Sequence, residues 1–113
     1  MSDPPLLDIG FEGRVIHWRG PAPFFFVAAP DRHLAAIRDA ARRASYGWGC
    51  VPVEATVRGV AFTTALFPKD GGYLVPVKAA VRNEAAVSLG DRVPVRLVVR
   101  DRVLPSPLPG DSV

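Results

Sequence analysis

The stretch from Val51 to Leu66 reads VPVEATVRGVAFTTAL. Val51, Val53, Ala55 and Val57 alternate with Pro52, Glu54, Thr56 and Arg58, the period-two pattern of a strand with one buried face. Arg58-Gly59 is tight-turn chemistry, and Val60–Leu66 returns as a second strand. The same alternation recurs near the C-terminus. There Val93, Val95, Leu97 and Val99 alternate with Pro94, Arg96, Val98 and Arg100. Two further strands precede the hairpin. Ile9–Trp18 places Phe11, Val15 and His17 on one face, and Phe24–Ala29 is a short, aromatic, continuously apolar run. Tyr73–Val77 follows the turn Lys69-Asp70-Gly71-Gly72.

One segment between the second and third strands has a different period. Leu34, Ile37, Ala41 and Ala44 recur at helical spacing, while Arg32, Arg38, Asp39, Arg42 and Arg43 take other positions. Asp31 is placed to cap this helix and Gly47 and Gly49 to end it. Lys78–Ala86 reads as a helical turn or a second short helix. The pattern predicts a mainly-β fold, a small closed β-barrel of about six strands with one inserted α-helix. Residues 1–8 read as a loose arm, 9–101 as a single barrel domain and 102–113 as a proline-rich tail.

Composition agrees with one globular domain. The chain has 113 residues, 49% of them hydrophobic and 22% charged, long enough to bury a core without disulfides. Its single cysteine, Cys50, excludes an internal disulfide and suits a cytoplasmic setting. The longest apolar run, Phe24–Ala29, is far short of a membrane helix. The net charge of +3 is mild, and arginine supplies nearly all the positive charge.

Several segments in order resemble a known family: Gly49-Cys50-Val51-Pro52-Val53-Glu54-Ala55, Val57-Arg58-Gly59, Gly72-Tyr73-Leu74-Val75-Pro76-Val77-Lys78, Val81-Arg82, and Leu89-Gly90-Asp91-Arg92-Val93-Pro94-Val95. Together they resemble a small bacterial and archaeal domain of unknown function. The same domain is found at the front of YdeI/OmpD-associated bacteriocin-protection proteins. The resemblance implies a double-split β-barrel over roughly Phe11 to Arg100, and no reaction, since the family has none established. The helical bacteriocin-protection segment is not recognisable after Arg100, so nothing that segment does is implied here.

The residues themselves narrow the chemistry. His17, His33, Cys50 and the scattered carboxylates lack metal-ligand spacing, so no metal or other cofactor is expected. A Cys50–His17 nucleophile pair would need the two brought together and the base held by a third group, whereas His17 on the apolar face of the first strand reads as a structural histidine. Gly71-Gly72 feeds a strand, where a phosphate cradle would feed a helix. The set that stands out is Tyr73, Lys78 and Arg82, with Glu54, Arg58 and Thr63 as neighbours. A helical Lys78–Ala86 would bring two cations to one face, so the set reads as a small anion pocket at a barrel mouth with Tyr73 as a wall. The plain alternative is surface ion pairing of Lys78 and Arg82 with Glu54, Asp91 or Glu84. Trp48, with Tyr46, Trp18 and the nearby Arg42 and Arg43, could stack on a flat ligand.

These observations lead to a binding module for a small anionic or aromatic molecule. One alternative is a small enzyme, with Glu54, Tyr73, Lys78 or His17 as general acid or base inside an enclosed barrel. Another is a nucleic-acid or protein interaction module working through the Arg32–Arg43 helix; against the nucleic-acid version, the charge is low and Asp39 interrupts the basic face. No membrane partner is expected, and the chain is expected to be a monomer or weak dimer.

Overall fold

The computed structural model describes residues 4–18, 24–44 and 49–100. Six strands close into an antiparallel barrel in the order β1-β2-β5-β4-β3-β6, with β6 returning to β1. The strands are β1 (Leu7–Trp18), β2 (Phe24–Ala28), β3 (Val51–Val57), β4 (Val60–Lys69), β5 (Gly72–Pro76) and β6 (Arg92–Val99). Helix α1 (Leu34–Ala44) lies between β2 and β3, and α2 (Ala79–Ala85) between β5 and β6. The closed mainly-β barrel read from the alternation is therefore the fold, and the short second helix is real.

Alternation decides which side chains fill the barrel. Val15 faces Val27 across β1–β2, and Val51 faces Leu66 across β3–β4, all four essentially without solvent exposure. Val75, Val93, Leu97 and Val99 complete this layer. Each such aliphatic side chain stabilises the fold by about 1.5–3 kcal/mol through burial. Helix α1 closes one end of the barrel with Ile37, Ala40, Ala41 and Ala44. Its Arg38 donates to the Gly71 carbonyl at 2.6 Å, fastening the helix to the β4–β5 turn. Helix α2 closes the other end with Val81 and Ala85.

Both β-hairpin turns around β4 are two residues long and left-handed. Arg58 and Gly59 have φ of 49° and 84°, and Asp70 and Gly71 have 51° and 81°. This is the type I′ geometry that matches strand twist. The long strand β1 serves two partners. Leu7–Arg14 pair with β6, and Val15–Trp18 pair with β2. At the changeover Gly13 is buried, and a β-carbon there would overlap Val27 Cγ1.

Three local expectations need correction. Asp31 does not cap α1: it lies inside a 3-10 turn, Asp31–His33, whose preceding residue is Pro30 and which has no side-chain cap. Proline fixes an extended entry, so the turn needs no carboxylate to begin. His17 is exposed although its parity puts it on the inward face, because β1 runs past the barrel end there. Strand β4 continues three residues beyond Leu66 to Lys69, since Phe67, Pro68 and Lys69 pair with β5.

Candidate functional site

The β2–β5 pairing sets the first component of the site. Phe26 pairs with Pro76, and the Val77 amide then donates to the Phe25 carbonyl at 2.9 Å. Phe25 is thus at the barrel mouth beside the start of α2, half-buried against the core. From α2, Arg82 reaches back over it. Its guanidinium carbon lies 3.8 Å from the Phe25 ring centroid, and its Nε donates to the Val77 carbonyl at 3.3 Å. His17 flanks the same ring, with centroids 5.2 Å apart and planes inclined by 51°. Lys78 is exposed at the N-terminal end of α2, and its carbonyl accepts the Arg82 amide at 2.9 Å.

The C-terminal end of α2 explains Arg58. Ala86 is left-handed at φ 55°, the Val87 amide donates to the Arg82 carbonyl at 2.9 Å, and the Ala86 amide to Asn83 at 3.3 Å. This is a Schellman termination. Arg58 Nη1 donates to the Ala86 carbonyl at 2.8 Å and lies 3.4 Å from that of Ala85, while Nη2 is 3.7 Å from Asp91. Arg58 therefore fastens the β3–β4 turn to the negative end of a helix.

Glu54 and Thr63 are cross-strand neighbours on the outer wall of the barrel, away from α2. They line an open depression of about 410 Å³ with Thr56, Arg96 and Arg100. Its charges are already matched. Arg100 grips Glu54 through Nε at 2.8 Å and Nη2 at 3.4 Å, and Arg96 grips Asp8 at 2.9 and 2.7 Å. Hydrogen bonding to Glu54 holds the Arg100 guanidinium above its usual range, and the Asp8 hydrogen bond does the same for Arg96.

The residues singled out from sequence thus fall into four places. Lys78 and Arg82 lie one turn apart at and within α2, and Arg58 lies at the C-terminal end of that helix. Glu54 and Thr63 share the outer wall. Tyr73 is at the opposite end of β5, where its carbonyl accepts the Ala29 amide at 3.0 Å beneath α1. Lys78 is five positions further along this extended chain, about 16 Å away. The aromatic ring beneath Arg82 is Phe25, which lies in the apolar run Phe24–Ala29. Trp48 and Tyr46 lie outside the described residues.

Of the carboxylates offered as plain partners of Lys78 and Arg82, Glu54 holds Arg100 and Asp91 faces Arg58, while Glu84, exposed on α2, pairs with neither cation among the described residues. Among the described residues neither Lys78 nor Arg82 has a carboxylate partner, whereas Arg42, Arg58, Arg92, Arg96 and Arg100 each have one. Among the described residues Arg14, Arg32 and Arg38 also lack one; Arg14 and Arg32 are exposed, and Arg38 is exposed and tied to the Gly71 carbonyl. Arg82 differs in being half-buried and held by both a carbonyl and an aromatic ring.

Other chemistries find little here. Among the described residues no polar or charged residue is buried as a whole. No three His, Cys, Asp or Glu residues among them are grouped to hold a metal. His33 packs at the α1 end, 6.0 Å from the Phe11 ring, with its Nε2 buried and unbonded. His17 is at the α2 end, so the two histidines do not converge. On α1, Arg38 is tied to Gly71 and Arg42 to Asp39 at 3.0 Å. No helix of the described residues is long and apolar enough to cross a membrane. A family model described as a domain of unknown function, DUF1905, matches residues 11–97. No curated protein matches the chain.

Proposed function

We propose that this chain, which belongs to the DUF1905 family of domains of unknown function, is a binding module for a small anion at the α2 end of its barrel. Arg82 and Lys78 supply the charge, and Phe25 is the platform on which the guanidinium rests. The observation that carries this reading is Arg82 itself: fixed on a ring and a carbonyl, yet without a carboxylate among the described residues. A planar fork already held in place loses little freedom when it closes on two oxygens. The stacking that holds it contributes about 0.5–1 kcal/mol at such a half-exposed position. The geometry favours an anionic ligand over an aromatic one, because Arg82 covers a face of Phe25 and His17 flanks the ring.

Titration of isotope-labelled protein with inorganic phosphate at constant ionic strength tests the reading. Saturable shifts are expected at Phe25, Val77, Lys78 and the Arg82 Nε–H, and Arg82→Ala should abolish them while the remaining spectrum is preserved. Equal, non-saturating shifts at Arg14 and Arg32 would show general screening and remove the proposal.

A further inference from the structure

Resting on that reading, we infer that the anion is doubly charged, with one charge in the Arg82 fork and a second on Lys78. Arg82 Nε is occupied by the Val77 carbonyl, so its two terminal nitrogens form the remaining fork. That edge matches two oxygens of a carboxylate or phosphoryl group. Lys78 stands one helical turn earlier, fixed there by the 2.9 Å bond from the Arg82 amide to its carbonyl. Lys78 is the extended residue just before α2, with φ −68° and ψ 158°, and its flexible four-carbon stem leaves the ammonium free to swing toward the fork. A singly charged ligand in the fork leaves the ammonium unmatched, because Glu54 and Asp91 are held by other arginines and Glu84, on α2, makes no ion pair with Lys78 among the described residues. A ligand carrying a second negative oxygen beyond the fork satisfies both cations. The ligand class is a small organic dianion, either a phosphate monoester or a dicarboxylate.

Matched pairs of probes separate charge from shape. Methyl phosphate against dimethyl phosphate, and succinate against monomethyl succinate, are titrated at pH 7.5 and constant ionic strength. The dianion of at least one pair should bind about tenfold more tightly than its monoanion, as an added charge contact near a protein surface provides. The pair with the larger ratio identifies which dianion class the spacing suits. Lys78→Ala should bring the ratio to about twofold or less, and Lys78→Arg should restore it. Arg82→Ala should remove binding of both members. Melting temperatures close to wild type in all three variants confirm that the readout concerns the site. If monoanions bind as tightly as dianions, or the ratio survives Lys78→Ala, the dianion inference is overturned while the anion site stands. If no probe binds, both fall.

Discussion

Gly13 occupies a place where a side chain has nowhere to go. A single methyl group would enter the space of Val27 Cγ1 and approach the Phe11 ring. Valine is stiff about its first torsion, so relief must come from the β1–β2 backbone. Gly13→Ala should therefore lower stability by about 1–3 kcal/mol, read as a fall in the urea midpoint at unchanged slope. A neutral or stabilising outcome would mean that the strands part easily there. The same scale shows what could be read from the sequence about the site. Lys78 and Arg82 were recognisable as neighbours because they stand only four positions apart in the chain. Phe25 was not, because its neighbours are set by the register of β2 on β5, and alternation reveals a residue's face but not who stands opposite. For the same reason Tyr73 looked like a companion of Lys78, although β5 carries it to the other end of the barrel.

Helix α2 is short enough that its own hydrogen bonds would not sustain it in water. It persists because Val81 and Ala85 are buried, and because Arg58 and the Schellman bonds satisfy its last carbonyls. Its existence was ambiguous in sequence because those supports come from a distant turn. The termination uses an alanine where glycine would be unstrained. Ala86→Gly should thus stabilise the protein by about 0.5–1 kcal/mol, seen as a higher melting temperature and slower amide exchange in α2. No change would show that Cβ packing at Ala86 offsets the left-handed strain. The longer helix was plain from its apolar period, but its first turn was not, since Pro30 begins a 3-10 turn where a carboxylate cap was expected.

At the scale of the molecule, the strands were legible and their order was not. Local alternation marks each strand, whereas the sequence β1-β2-β5-β4-β3-β6 depends on long-range pairing that no short window contains. The closing seam is β1 against β6, bridged outside by Asp8–Arg96 and Glu12–Arg92. The hydrogen bond from Arg96 holds the Asp8 carboxyl below its ordinary value, with a smaller Coulombic contribution from the same arginine. A lowered folded pKa stabilises the native state above the unfolded value, near 3.9, and this contribution is lost as pH falls through the folded value. Asp8→Asn should consequently flatten part of the acid limb of stability, measured by urea unfolding from about pH 7 to pH 2. An unchanged limb would assign acid sensitivity elsewhere.

That seam also joins Leu7 to Val99, nearly the full length of the described chain. A ribosome adding about 5–20 residues per second delivers β6 some 5–20 s after β1. Throughout that interval the first half of β1 is an open edge with no partner yet made. The barrel therefore cannot close until β6 has emerged, and until then that edge is open to pairing with another chain.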